Sequence, residues 1–176
     1  MKVMIFGNLA SGKSYFANKI LGDISKMEYL SIDDFRKKFG NGSMEREIVA
    51  KQKFLDCIQA NELQLIEATG LGDTGEYIAK KLHQSEELKY IIILKTPLEV
   101  CLSRLKNRIW NVPYPAPPEQ AFELAEISDK MIANNYIQKL WHCAINYIIF
   151  EIKSLDDIKI QQIINNIKIK INNETD

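Results

Sequence analysis

The stretch GNLASGKS at residues 7–14 combines residue types that bind phosphate at a spacing suited to that purpose. It matches the pattern G-x-x-x-x-G-K-[ST], in which backbone N–H groups between two glycines surround an anion. Gly7 and Gly12 allow the backbone to turn tightly and to approach a phosphate without an intervening Cβ. Lys13 supplies a positive charge for the β- and γ-phosphates, and the Ser14 hydroxyl can bind Mg²⁺. The motif therefore predicts a site for a nucleoside triphosphate and Mg²⁺.

The segments on either side place this motif at a turn from a strand to a helix. The apolar run KVMIF at 2–6 predicts a buried strand, and residues 14–21 predict a helix with one apolar side. The positive amino-terminal end of that helix adds to the anion site. We therefore predict that ATP contacts the whole loop and the start of the helix, namely Gly7, Asn8, Leu9, Ala10, Ser11, Gly12, Lys13, Ser14 and Tyr15.

Short apolar segments alternate with longer amphipathic segments along the rest of the chain. Further strands are predicted over residues 28–32, 63–68, 89–95 and 145–152. Helices are predicted over residues 33–39, with Asp33 as its N-cap, and over 43–60, 75–84, 96–108, 119–141 and 154–171. This alternation predicts an α/β fold, a three-layer sandwich with a five-stranded, mainly parallel sheet. We expect a single domain over residues 1–176, with a lid around 104–120.

The composition narrows the class of protein. The chain has 176 residues, and its 23 Lys and Arg residues equal its 23 Asp and Glu residues in number. This balance argues against a long nucleic-acid footprint or an anionic membrane surface as a partner. No apolar run approaches the roughly 18 residues that a membrane span requires. The three cysteines are scattered without metal-type spacing, which suggests reduced thiols and a cytoplasmic location.

Taken together, these features resemble the P-loop kinases of the nucleoside/nucleotide-kinase superfamily, which have an adenylate-kinase-like fold. The stretch SIDDFRKKF at 31–39 contains the sequence DDFR, which resembles the D-D-[YF]-R signature of polynucleotide 5′-kinases and related small kinases. The resemblance implies that Asp33 is the general base on an acceptor hydroxyl and that Arg36 binds the acceptor's own phosphate. From the residues alone, Asp33 could instead serve only to cap its helix.

Five further positions acquire roles from this resemblance. Glu67, at the end of LIEA, is implied to order the water shell of Mg²⁺, and Thr69 and Gly70 to line the acceptor pocket. Arg104 and Arg108 lie four residues apart, so both project from one helical face. The resemblance implies that they are lid arginines that contact the transferring phosphoryl group. The alternatives are a strand-end glutamate in solvent and two ordinary surface arginines.

The proline-rich loop IWNVPYPAPPEQ at 109–120 follows these arginines. Trp110 and Tyr114 could stack on a base or sugar, or they could brace the lid against the core. The resemblance also implies a contact to adenine by the turn at residues 153–155.

These features support an ATP-dependent kinase that transfers the γ-phosphate of Mg·ATP to a hydroxyl of a small acceptor, such as a nucleoside, nucleotide or polyol. A polynucleotide 5′-hydroxyl is the second acceptor considered, and a toxin-like kinase acting on a sugar nucleotide would share the same residues. A nucleotide-binding module without catalysis is the alternative of a different class. A small GTPase is disfavoured because the N-K-x-D and D-x-x-G motifs are absent from the sequence.

Overall fold

A single parallel sheet forms the centre of the structure, a computed structural model that describes residues 1–59, 61–115, 117–153 and 156–173. Its five strands are β1 (Lys2–Gly7), β2 (Glu28–Ser31), β3 (Gln64–Glu67), β4 (Lys89–Leu94) and β5 (Tyr147–Ile152). Their spatial order is β2-β3-β1-β4-β5, and every neighbouring pair runs parallel.

Helices connect and cover these strands. Those in the described ranges are α1 (Lys13–Asp23), α2 (Ile32–Phe39), α3 (Met44–Asp56), α4 (Gly72–Leu82), α5 (Leu98–Lys106), α6 (Pro118–Ala133), α7 (Tyr136–Trp141) and α8 (Asp157–Asn173). Among these described helices, none is both long enough and apolar enough to cross a bilayer.

The central strands β1 and β4 are buried along their whole length, with mostly apolar side chains on both faces, and helices cover both faces. In β1, Val3 and Ile5 pack towards α1 and α8, whereas Met4 and Phe6 pack towards α3, α4, α6 and α7. Successive strand residues point to opposite faces, so one continuous apolar run supplies two separate cores. The predicted three-layer α/β sandwich with five strands is confirmed, and its sheet is parallel throughout the described strands.

The strand order brings the ends of β1, β2 and β3 together. Because β3 lies between β1 and β2, Glu67 is opposite Ile5 on one side and Ser31 on the other. In parallel sheets, ligands bind at the carboxyl ends of the strands, where the connections to the following helices leave a crevice. The residues that follow these three strands therefore meet at one edge of the sheet.

Several helix boundaries differ from the sequence-based expectation. The helix predicted over 96–108 ends at Lys106, so Arg108 follows the helix and does not lie on one helical face with Arg104, as the sequence suggested. The helix predicted over 119–141 is two helices, because Asn135 adopts a left-handed conformation (φ 57°) between α6 and α7. The break lets Trp141 turn inward, where it is fully buried beside the Phe6 ring. The helix predicted to reach residue 60 ends at Asp56, although residue 60 itself lies outside the described ranges.

A further difference concerns the start of α2. The helix begins at Ile32, so Ser31 occupies the N-cap position that the sequence suggested for Asp33. Asp33 lies in the first helical turn and does not cap the helix with its side chain. Its carboxylate is thus available for other contacts.

Two buried lysines lie at the opposite, amino-terminal edge of the sheet. Lys2 and Lys89 are neighbours in register on β1 and β4, and both are fully buried. The Lys2 ammonium contacts a carboxylate oxygen of Glu87 at 3.0 Å, and Lys89 donates to the backbone oxygen of the same residue at 2.8 Å. Burial lowers the pKa of both lysines, and the charge of Glu87 opposes this effect. Glu87 is therefore the counter-charge of this edge.

We expect Glu87→Gln to destabilise the protein by about 3–5 kcal/mol, because the buried Lys2 ammonium would lose its ionic partner. The free energy of unfolding from chemical denaturation measures the loss. Glu86→Gln is the matched control, since Glu86 is the exposed neighbour. Equal stability of the two variants would contradict this assignment.

Candidate active site

The loop between β1 and α1 has the geometry of an anion site. α1 begins at Lys13, and Gly12 before it has a φ of 101°, which glycine adopts without steric cost. The Lys13 ammonium lies across the loop, 2.8 Å from the backbone oxygen of Asn8 and 3.3 Å from that of Gly7. Burial lowers the pKa of Lys13, and the carboxylates of Glu67 and Asp33 partly offset this effect. The first N–H groups of α1 also lack partners within the helix.

Contacts from two other elements hold the loop in place. The side-chain amide of Asn8 is buried and donates to the backbone oxygen of Ala125 in α6 at 2.8 Å. The Thr96 hydroxyl donates to the backbone oxygen of Ser11 at 2.8 Å. The Ser11 hydroxyl itself is buried, and in the described part of the chain it finds no hydrogen-bond partner. A buried hydroxyl without a partner in this loop fits a site that accepts an anion's oxygen atoms.

Next to the loop, Ser14, Glu67 and Tyr29 form a chain of hydrogen bonds. The Ser14 hydroxyl donates to one carboxylate oxygen of Glu67 at 2.8 Å, and the Tyr29 hydroxyl donates to the other. Burial and the Glu67 charge raise the pKa of Tyr29, so this hydroxyl keeps its proton. A hydroxyl and a carboxylate oxygen are hard donors of the kind that Mg²⁺ prefers alongside water and phosphate. The donor set therefore fits Mg²⁺, with Ser14 and Glu67 as the residues that would hold it.

Asp33 lies between two arginines. One of its carboxylate oxygens accepts a hydrogen bond from Arg36 at 2.8 Å, and the other accepts one from Arg108 at 3.2 Å. Burial favours the protonated acid, but the two guanidinium groups outweigh it and hold the pKa of Asp33 below its ordinary value. Asp33 is therefore an ionised carboxylate, and its contacts are not those of a helix cap.

Arg36 is itself held by a second carboxylate. Its guanidinium donates two hydrogen bonds to the buried Glu47, at 2.7 Å and 2.9 Å, in addition to its bond to Asp33. The Tyr114 ring covers one face of the guanidinium, with its centre 4.3 Å away. That Arg36 binds an acceptor phosphate stays a prediction, but these donors already have protein partners.

A cavity of about 700 Å³ joins these groups. It is lined mainly by the phosphate loop, the ends of β2 and β3, and the segment after α5, with the charged side chains of Lys13, Asp33, Arg36, Glu67, Arg104 and Arg108. Leu9–Tyr15, Thr69, Trp110, Val112 and Tyr114 also contribute. The structure thus brings together most of the predicted site residues. Gly7 and Asn8 support the loop and are not part of the cavity wall.

Gly70 is the predicted acceptor residue that the cavity does not include. Its φ is 72°, and a Cβ at this position would lie 2.4 Å from an atom of the Phe6 ring. The fold requires glycine at this position because the backbone packs directly against the ring of Phe6. The structure thus supplies a packing reason for Gly70 and no contact with the acceptor pocket, whereas its neighbour Thr69 lines the cavity.

The segment predicted as a lid, residues 104–120, contacts the phosphate loop and lines the cavity beside it. Arg104 donates to the backbone oxygen of Ala10 at 3.1 Å, and the Arg108 guanidinium lies 5.1 Å from the centre of the Trp110 ring. Both aromatic residues of the loop, Trp110 and Tyr114, therefore contact arginines that line the cavity. Movement of residues 104–120 stays a prediction, and position 116 is outside the described ranges. The predicted adenine contact at 153–155 also falls largely outside them.

Two residues that hold charged side chains of the site in place were not predicted from the sequence. Tyr29 is the second residue of a short strand, and Glu47 resembles any acidic residue in the first turn of a helix. Glu67 at the end of β3 and Arg36 in α2 are each held by a hydrogen-bond partner from another element. The sequence does not indicate which residue that partner is. Only the pairing of β2 with β3 and the packing of α2 on α3 identify them.

No protein-family model matches this sequence, and no curated protein matches it either. Solved structures do match the fold. The deoxyadenosine kinase of M. mycoides with bound dATP is 18% identical over 98% of this chain and 100% of its own, with a TM-score of 0.57. The shikimate kinase of Acinetobacter baumannii in complex with shikimate is 18% identical over 96% of this chain and 93% of its own, with a TM-score of 0.61.

A second shikimate kinase, from Bacteroides thetaiotaomicron, is 14% identical over 98% of both chains, with a TM-score of 0.54. The chain has the P-loop nucleotide-kinase-like fold. These structural neighbours are nucleoside and shikimate kinases, so they do not support the assignment to the polynucleotide 5′-kinase branch that the SIDDFRKKF motif suggested. That short motif follows β2 in the sequence, and its resemblance concerns a few residues rather than the whole architecture.

We expect Tyr29→Phe to raise the Mg²⁺ concentration needed for tight nucleotide binding by about tenfold, because Glu67 would lose the hydrogen bond that orients it. Titrating Mg²⁺ at fixed nucleotide, with calorimetry as the readout, measures this shift. Tyr136→Phe is the matched control, since it removes a tyrosine–glutamate hydrogen bond to Glu76 outside the cavity. An unchanged Mg²⁺ requirement in Tyr29→Phe would show that Tyr29 does not orient Glu67.

Proposed function

We propose that this chain is an ATP-dependent kinase that phosphorylates a hydroxyl of a small acceptor. The observation that carries the proposal is one cavity in which a phosphate-binding loop, a Ser14–Glu67 pair and an ionised Asp33 meet. Phosphoryl transfer requires positioning and charge stabilisation more than covalent chemistry, and these groups supply both. The nucleoside and shikimate kinases of the same fold are consistent with a small acceptor.

In this proposal the loop backbone and three side chains would hold ATP and Mg²⁺. The backbone N–H groups and the Lys13 ammonium bind the β- and γ-phosphates of ATP, and Ser14 and Glu67 hold Mg²⁺. The metal ion, when bound, neutralises charge on the phosphate oxygens. Asn8 and Thr96 keep the loop rigid by their contacts to neighbouring elements.

Asp33 and Arg108 act on the transfer itself. Asp33 accepts the proton of the acceptor hydroxyl while the new O–P bond forms and the bond to ADP breaks. Arg108 exchanges its contact with Asp33 for one with the transferring phosphoryl group, whose charge a guanidinium stabilises. Because Arg108 lowers the pKa of Asp33, its departure makes Asp33 a stronger base. We further infer that residues 104–120 close over the site when this exchange occurs.

The test of this proposal is incubation of the protein with ATP, Mg²⁺ and a panel of nucleosides, nucleotides, polyols and a 5′-hydroxyl oligonucleotide. Acceptor-dependent formation of ADP and a phosphorylated small molecule is expected. Phosphorylation of the oligonucleotide alone would favour the polynucleotide acceptor. ATP binding without turnover by any acceptor would contradict a kinase and indicate a nucleotide-binding module.

We expect Asp33→Asn to lower kcat by about 100-fold or more while ATP affinity changes little, because the general base is lost and the phosphate loop is intact. Steady-state kinetics with the best acceptor and calorimetry with ATP separate the two effects. Asp34→Asn is the matched control, because this neighbour is exposed and pairs only with Lys37 among its described contacts. A kcat for Asp33→Asn equal to that of the control would exclude Asp33 as the base.

We expect Arg108→Ala to lower kcat by about 100-fold, because one charged donor to the transition state is removed. It should also raise the pH at which kcat/KM falls on the acid side, since the pKa of Asp33 rises when a neighbouring cation is lost. Lys106→Ala, an exposed residue at the end of α5, is the control. An unchanged acid limb in Arg108→Ala would contradict the coupling to Asp33.

A further inference from the structure

Arg108 is weakly held for a residue that is proposed to act on phosphoryl transfer. α5 ends at Lys106, so Arg108 lies in the irregular segment after the helix, where its backbone N–H bonds to the Leu105 oxygen at 3.2 Å. Among the contacts of the described residues, its guanidinium donates one hydrogen bond, to Asp33 at 3.2 Å, and its side chain is 32% exposed. An ion pair this exposed does little by itself to hold a long side chain in one place.

The Trp110 ring supplies a second contact for this guanidinium. The central carbon of the guanidinium lies over the ring, 5.1 Å from its centre. Tryptophan attracts a cation to its ring face more strongly than tyrosine or phenylalanine does. Trp110 is partly buried, and both partners line the main cavity. The pair therefore lies at the site itself, on the segment that brings Arg108 to Asp33.

A ring contact suits a guanidinium that has to change its hydrogen-bond partner. The attraction is between the positive charge and the π electrons, so it is not tied to one hydrogen-bond geometry. A guanidinium also has several N–H donors, and the described contacts of Arg108 use one of them, on Asp33. The others are available to phosphoryl oxygen atoms. Trp110 can thus hold Arg108 beside the cavity both before and after it leaves Asp33.

The second aromatic residue of this loop makes the same kind of contact with an arginine that is held by other means. The Tyr114 ring centre lies 4.3 Å from the guanidinium of Arg36. Arg36, however, is only 7% exposed and donates to the buried Glu47 at 2.7 Å and 2.9 Å. Its ion pair fixes Arg36 in place, whereas Arg108 has no such buried partner among its described contacts. The position of Arg108 therefore depends on its ring.

We propose that Trp110 is a positioning residue, which holds Arg108 for Asp33 in the free protein and for the phosphoryl group during transfer. This inference rests on the proposed kinase function and assigns a role to a residue whose sequence context allowed base stacking or bracing of the lid. Trp110 acts through Arg108 and not on the reacting atoms. Stacking on a base or sugar is the competing role, and its loss would weaken substrate binding rather than transfer.

The first experiment separates the ring from its bulk. We expect Trp110→Leu to lower kcat about tenfold while the KM values for ATP and the best acceptor change less than about twofold. Trp110→Phe should keep at least about half of the parent kcat, because a phenyl ring still attracts the guanidinium. Steady-state kinetics measure both variants. An unchanged kcat in Trp110→Leu, a rise in KM alone, or an equal fall in both variants overturns the inference.

Ile109→Ala is the control for a general loosening of the segment. Ile109 lies between the two partners and is 85% exposed, so its loss removes apolar bulk from the same segment and leaves the ring contact in place. We expect its kcat to equal that of the parent. A fall as large as that of Trp110→Leu would attribute the effect to the backbone of the loop and would overturn the inference.

A double variant tests whether Trp110 acts through Arg108. In the Arg108→Ala protein the ring has no guanidinium to hold, so adding Trp110→Leu should change kcat by less than about twofold. A further tenfold fall would show that the two residues act independently, and it would overturn the inference.

The last experiment does not depend on turnover. Burial raises the pKa of Asp33, and the charges of Arg36, Arg108 and Lys13 outweigh this effect. Carboxyl ¹³C NMR of the free protein, without nucleotide or Mg²⁺, follows the titration of Asp33, whose signal is identified by its loss in Asp33→Asn. We expect Trp110→Leu to move the midpoint to higher pH, by about half of the rise in Arg108→Ala, since a loosely held cation stabilises the carboxylate less. Trp110→Phe should titrate like the parent.

The outcomes of this titration separate the two proposals. An unchanged midpoint in Trp110→Leu, or in Arg108→Ala, overturns the positioning role whether or not any acceptor is phosphorylated. If the midpoint moves as expected but no acceptor is phosphorylated, the kinase proposal fails, and the hold of Trp110 on Arg108 in the free protein is still established.

Discussion

The position of β3 between β1 and β2 is the constraint on which the site depends. Strand pairing places Glu67 opposite Ile5, near the end of β1, and opposite Ser31 at the end of β2. From these three ends come the phosphate loop, the carboxylate paired with Ser14, and Asp33 in the first turn of α2. Backbone hydrogen bonds of a buried parallel sheet hold these ends together, so the groups are positioned without reliance on flexible side chains.

A second layer of contacts controls the charges at this edge of the sheet. Asp33 is held ionised by two arginines of different character. Arg36 is buried and attached to α3 through Glu47, whereas Arg108 is partly exposed and comes from the segment after α5. Removing either partner of a buried ion pair leaves an uncompensated charge, so the Arg36–Glu47 pair is a rigid support. The Arg108 contact is more exposed and easier to exchange, as a group that moves during transfer requires.

Much of the fold follows from local patterns. The continuous apolar runs at 2–6 and 89–95 indicate buried parallel strands, because only strands covered on both faces lack alternation. The Gly12-Lys13-Ser14 sequence after such a run indicates a phosphate loop. Helix boundaries are harder to predict where a tertiary contact overrides the local pattern. The break at Asn135 is an example, since Trp141 packs inward against the Phe6 ring, which comes from β1 at the other end of the chain.

The sequence by itself determined the fold class and the phosphate loop, because these depend on patterns within single segments. The resemblance to known kinases singled out the acidic and basic residues near that loop. Neither the sequence nor the resemblance determined how those charges are paired. The resemblance to known kinases implied a phosphate-binding Arg36, but in the structure Glu47 and Asp33 engage its donors. The hydrogen bond from Tyr29 to Glu67 likewise depends on the pairing of β2 with β3, which the sequence does not show. Ion pairs and hydrogen bonds between distant segments depend on three-dimensional packing, and only the tertiary structure decides which charges remain available to a substrate.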